Sequence, residues 1–113
     1  MSIPFFRYPH LFSQQREEIL SAMTEVMARG AFILQSDLVE FETRIASFTG
    51  AKHALGVANG TDALIIALRA AGVGPGDEVI VPSHTYVASA ASIHFAGATP
   101  VLVECGADHM IDV

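Results

Sequence analysis

Gly56-Val57-Ala58-Asn59-Gly60-Thr61-Asp62-Ala63-Leu64 decides how the rest of this sequence is read. An apolar run, His53 to Ala58, leads into it, and an alanine- and leucine-rich run, Thr61 to Ala71, leads out. The first run reads as a strand and the second as a helix. A strand that turns straight into a helix leaves the first helical amides unpaired and aimed at one point. The helix dipole adds partial positive charge there, so the spot suits a phosphate. Gly60 lets an anion approach the backbone, and Thr61 offers a hydroxyl. The competing reading is that Asn59 or Thr61 simply caps the helix. The stretch alone leaves both open.

Working outward, the pattern after Lys52 alternates strand and helix. The turn Gly72-Val73-Gly74-Pro75-Gly76-Asp77 precedes a short apolar strand, Glu78 to Pro82. Ser83-His84-Thr85 reads as a loop, Tyr86 to Ala96 as a small-residue helix and Thr99 to Glu104 as a third strand. The strands are apolar on both faces, as in a parallel sheet covered by helices, and the order points to an α/β fold. Upstream, Met1 to Phe12 reads as an extended aromatic arm. A helix is predicted from about Gln14 to Arg29, with Ser13 as cap, Gly30 as stop and a buried stripe of Ile19, Leu20, Met23, Val26 and Met27. A second helix is capped by Ser36 or Asp37, with Glu40 placed for a capping box. Its stripe is Leu38, Phe41, Ile45 and Phe48, Gly50 ends it, and Glu40, Glu42 and Arg44 form its solvated face. The organisation expected is an arm with two helices over residues 1–52, then a nucleus of alternating strands and helices over 53–113.

Composition narrows the function classes. The 113 residues are one domain's worth of chain at most, and 51% of them are apolar. No apolar run approaches the length of a membrane span, and the N-terminus has no basic stretch followed by a long apolar core. A net charge of −6 with scattered basic residues argues against a nucleic-acid surface. Cys105 is the sole cysteine, so neither an internal disulfide nor a cysteine-based metal site is expected, and a reducing cytoplasm is the simplest compartment. His53, His94 and His109 have no spacing suited to a metal. His84 reads as a polar turn residue and Lys52, the sole lysine, as a surface residue. The glycine pattern of a dinucleotide or nucleotide phosphate loop is missing.

Four short motifs follow one another: Asn59-Gly60-Thr61-Asp62-Ala63-Leu64, Gly74-Pro75-Gly76-Asp77-Glu78-Val79-Ile80-Val81-Pro82, Thr85-Tyr86-Val87-Ala88-Ser89 and Gly97-Ala98-Thr99-Pro100-Val101. Ala31-Phe32-Ile33-Leu34 and Leu38-Val39-Glu40-Phe41-Glu42 stand ahead of them. Each is weak alone, but in this order they closely resemble the N-terminal part of the DegT/DnrJ/EryC1/StrS family. These are pyridoxal 5′-phosphate (PLP) sugar aminotransferases of the aspartate-aminotransferase fold type. The resemblance implies the start of the large PLP-binding domain, a parallel-sheet core with flanking helices. It implies that Gly60 and Thr61 hold the PLP phosphate, that Asp62 belongs to the same loop and that Tyr86 stacks on the pyridine ring. It implies an amino-acid donor, glutamate, and a nucleotide-linked keto-sugar acceptor, in a homodimer. The lysine that bonds the cofactor, the acidic partner of its ring nitrogen and a further phosphate-binding serine are expected beyond Val113. The sequence is therefore expected to hold the cradle without the reacting lysine. Two alternatives stay open: a nucleotide-sugar dehydratase of the same family, with histidine in place of that lysine, and a non-catalytic regulatory relative.

Overall fold

The computed structural model describes residues 3–112. The chain divides after Gly56 into two compact units. The arm's Met1 and Ser2 lie outside the described residues.

The first unit holds α1 (Tyr8–Ala28) and α2 (Ser36–Thr49). α1 starts six residues before the predicted Gln14. Pro9 falls in its first turn, where a missing N–H costs nothing and the fixed φ suits the helix. The prolines and aromatics read as an arm are thus partly helix, and Ser13 lies inside it, its Oγ donating to the His10 carbonyl at 2.7 Å. α1 closes as expected at Gly30. Its φ of 67° turns the chain left-handed, so the Gly30 and Ala31 amides return to the Met27 and Val26 carbonyls.

Asp37 does not cap α2. Gln35 stands at the cap position with no side-chain bond, and Asp37 instead accepts from Arg29 Nη2 at 2.9 Å. A charge-assisted bond to guanidinium outcompetes one to a neutral amide. Glu40 is likewise taken, by Arg44 one turn on. The Arg29 guanidinium, through its hydrogen bond, holds the Asp37 carboxyl below the usual aspartate range, and Arg29 is raised in return. The predicted apolar stripes are not buried. Of those residues only Val26 and Leu38 are half-buried, and Phe48 is 89% exposed. Among the described residues no element packs on either stripe.

The strand predicted from His53 to Ala58 is absent; the segment is irregular. A strand exists through its ladder partner, and here the Gly56 N–H donates to Glu42 Oε1 at 2.7 Å instead. Glu42, expected on the solvated face, is therefore a half-buried tether for this segment.

The second unit holds α3 (Gly60–Ala70), β1 (Glu78–Pro82), α4 (Val87–Ala96) and β2 (Thr99–Val103). β1 and β2 pair in parallel, Glu78 opposite Thr99 through Pro82 opposite Val103, with α4 as crossover. Each element lies within a residue of its prediction, though two strands form where three were expected. Val81, Ile93 and Ala98 make the buried core, with Leu68, Val73, Val79 and Ala90 packed around them. Asp77 sets the turn before β1: its carboxylate accepts from the Gly74 N–H at 2.8 Å, and its carbonyl from Thr99 N–H at 2.9 Å. Gly97, at φ 99°, sits so close to Pro75 that an added Cβ would come within 3.2 Å of the ring.

Candidate functional site

Asn59, Gly60, Thr61, Asp62 and Tyr86 all lie in the second unit. Asn59 is the N-cap of α3, in extended conformation, and its Oδ1 accepts from the Asp62 N–H at 2.9 Å. Ala63 N–H takes the Asn59 carbonyl at 3.1 Å. That leaves the amides of Gly60 and Thr61, and the Thr61 hydroxyl, without an acceptor or donor among the described residues. Capping and anion binding are therefore compatible here: Asn59 satisfies one amide and leaves two pointing outward.

Gly60 has no fold-imposed reason to be glycine. Its φ is not positive, and an added Cβ would meet nothing within 4 Å. The space around a Gly60 Cβ is open. A small, oxygen-rich anion fits this donor set.

Tyr86 is the N-cap residue of α4, at φ −68° and ψ 139°; its side chain makes no capping bond and is 77% exposed. The topology brings it to the same end of the unit as Gly60. α3 runs back along the unit before β1, and α4 runs back between β1 and β2, so both helices start at the C-terminal end of the sheet. The two helices pack together, and Arg69 in the last turn of α3 donates to the Phe95 carbonyl in the last turn of α4 at 2.8 Å. The two helices are nearly equal in length, 11 and 10 residues. Crevices outside the carboxyl ends of parallel strands are where α/β sheets bind ligands. Backbone donors for an anion and a free aromatic face are the two features a phosphorylated aromatic ring requires.

Other candidates remain apart. The His84 side chain is exposed, and its carbonyl takes a long contact of 3.9 Å from Cys105 Sγ. Lys52 is exposed and borders an open groove of about 660 Å³ in the first unit, with His53 and Val39. No group of His, Cys, Asp or Glu among the described residues is placed to hold a metal. Asn59, one of the two residues expected as cap, also uses its side-chain amide: Nδ2 donates to Asp62 Oδ2 at 2.9 Å. The signal was present, an asparagine cap with an acid three positions on.

Comparison with known proteins matches residues 13–113 to the DegT/DnrJ/EryC1/StrS aminotransferase family. The chain is 49% identical over 102 residues to a dTDP-3-amino-3,6-dideoxy-alpha-D-galactopyranose transaminase from Aneurinibacillus thermoaerophilus, covering 90% of this chain and 28% of that protein. It superposes with a TM-score of 0.86 and 44% identity on DesV from S. venezuelae, whose crystal structure is of a complex with a ketimine intermediate, covering 92% of this chain and 28% of that one. NtdA from Bacillus subtilis, solved with bound cofactor PMP, gives a TM-score of 0.84 at 32% identity, covering 90% of this chain and 24% of that one. The chain thus spans about a quarter of the length of these proteins. The α/β fold expected from the sequence, with its parallel sheet, is the fold these aminotransferases share. The chain belongs to the DegT/DnrJ/EryC1/StrS aminotransferase family.

Proposed function

We propose that the protein is a PLP-dependent aminotransferase that moves an amino group, from glutamate, to a nucleotide-linked keto-sugar. The observation that carries this is the pair of unclaimed amides at Gly60 and Thr61 at the start of α3, in the same unit as the exposed Tyr86 ring. The likeness to a dTDP-amino-sugar transaminase and to a PMP-bound structure supports it.

In this reading the Gly60 and Thr61 amides and the Thr61 hydroxyl hold the PLP phosphate, helped by the α3 dipole. Tyr86 lies against the pyridine ring and fixes its plane. Asp62 closes the loop through its backbone bond to Asn59. The cofactor supplies the carbonyl and electron sink that carry the amino group. These residues anchor and orient it, and none of them transfers a proton. A homodimer belongs to the same proposal, supported by the exposed apolar faces of α1 and α2. So does a cytoplasmic site of action. No described helix is long and apolar enough to cross a membrane.

The test is transaminase turnover by the full-length protein, with glutamate and a panel of nucleotide-linked keto-sugars, beside a PLP titration. PLP-dependent formation of 2-oxoglutarate and an amino-sugar supports the proposal. Loss of water from the sugar instead, or no PLP uptake, would refute it.

A further inference from the structure

We infer that Arg69 is a positioning residue for the cofactor: by clamping the last turns of α3 and α4 it sets how far one helix is slid along the other, and so the span from the Gly60 and Thr61 amides to the Tyr86 ring. The inference rests on the cofactor reading above.

Arg69 and Phe95 stand 26 residues apart in the chain, yet Arg69 Nη2 donates to the Phe95 carbonyl at 2.8 Å. That carbonyl is among the last four of α4, which have no acceptor role inside their own helix. A guanidinium fills it with a charge-assisted bond. The same cation sits in the last turn of α3 and against the last turn of α4, each the negative end of a helix dipole. Two helices that end together oppose one another there, and a single guanidinium offsets both. Among the described residues this is the one hydrogen bond between α3 and α4. The rest of their contact is packing, and α4 is rich in alanine and serine. Small side chains make shallow ridges, so packing alone holds the register of two such helices loosely. Gly60 stands nine residues before Arg69, and Tyr86 nine residues before Phe95. At 1.5 Å per residue each lies about 14 Å along its helix from the bond. Both helices start at the C-terminal end of the sheet, so they run the same way. A slip of α4 along α3 would therefore carry Tyr86 past Gly60 by the same distance. A rigid ring with a short phosphate arm meets both groups at one span only, so the register of the helices matters to the whole cofactor and not to either half of it.

The experiment uses the full-length protein stripped of cofactor and titrated with pyridoxamine 5′-phosphate (PMP), which carries ring and phosphate but cannot bond a lysine. Pyridoxamine probes the ring platform alone. Inorganic phosphate, as a competitor of PMP, probes the amides alone. Arg69→Met removes the donor and the charge and keeps an unbranched stem. It should weaken PMP about tenfold and leave pyridoxamine and phosphate within about twofold, because only a ligand that spans both groups feels the register. Arg69→Lys keeps the charge but not the planar fork. It should show the same pattern with a PMP loss of about threefold, and it carries the comparison if Arg69→Met does not fold. Gly60→Val is the control for the cradle and should weaken PMP and phosphate together while sparing pyridoxamine. If the Arg69 variants bind PMP as wild type does while Gly60→Val loses it, the inference falls and the cradle stands. If the Arg69 variants weaken all three probes alike, Arg69 only supports the fold and the inference is overturned. If Gly60→Val keeps both PMP and phosphate, the cradle falls and the inference with it.

Discussion

Tyr86 and Gly60 are both placed where the fold itself does not need them. The Tyr86 ring is 77% exposed and bonds nothing, so its removal costs the unliganded protein little. Tyr86→Ala should therefore leave the melting temperature of the full-length protein unchanged and weaken PLP retention. An aromatic stack contributes about 0.5–1.5 kcal/mol, or between about two- and tenfold in affinity. Cofactor absorbance after dialysis measures it, and wild-type retention would remove Tyr86 from the site. For Gly60→Val, open space at the Cβ means the variant should fold, while the branched side chain crowds the two free amides. Such a variant should bind PLP at least about tenfold less well with its unliganded stability intact. A drop in stability without loss of affinity would contradict this. The helix start at Asn59-Gly60-Thr61 was legible because its chemistry is local. That Tyr86 starts a helix packed on α3 was not, because helix-on-helix packing is encoded in no short pattern.

Local chemistry also explains which elements could be read. The Gly74-Pro75-Gly76-Asp77 turn followed by a β-branched run gave β1 its bounds, and Gly30, Gly50 and Gly97 gave the helix ends. The start of α1 was hidden by aromatics and prolines that fit an arm equally well. The run His53–Ala58 has strand-like composition, but a strand also needs a partner, and its Gly56 amide found Glu42. Asp37 was read as a cap because its real partner, Arg29, stands eight residues back across a turn. That pair makes a pH prediction. The Asp37 carboxyl is lowered by Arg29, so its contribution is present above the ordinary aspartate pKa and fades as pH falls through the lower native value. Arg29 stays charged throughout that range. Both groups are surface-exposed, so the effect is small and screened by salt. Asp37→Asn should flatten the acid limb of the stability curve slightly, and an unchanged limb at low salt would show the pair to be idle. Gly97→Ala should cost more, about 1–3 kcal/mol, since a left-handed residue would gain a Cβ against Pro75. Chemical denaturation of the full-length protein, with an unaltered midpoint as the contrary result, checks it.

Across the molecule, burial is sparse. Among the described residues, the buried apolar ones are Val81, Ile93, Ala96 and Ala98. Phe5, Phe32, Ile33, Leu34, Phe48 and Leu55 are each at least 69% exposed, and Ile80 and Leu102 leave the two-stranded sheet apolar toward solvent. Surface of this kind is covered by other protein or it aggregates. The 113-residue chain made by itself should therefore associate or melt without cooperativity, as light scattering and calorimetry would report; a monodisperse monomer with a sharp transition would be the contrary finding. The function proposed for the whole protein turns on one geometric claim, that the start of α3 receives the cofactor phosphate. A crystal structure of the full-length protein with PLP tests it most directly. The account predicts phosphate oxygens within about 3 Å of the Gly60 and Thr61 amides, with the ring against Tyr86. A phosphate bound elsewhere, with those amides turned to water, would contradict it.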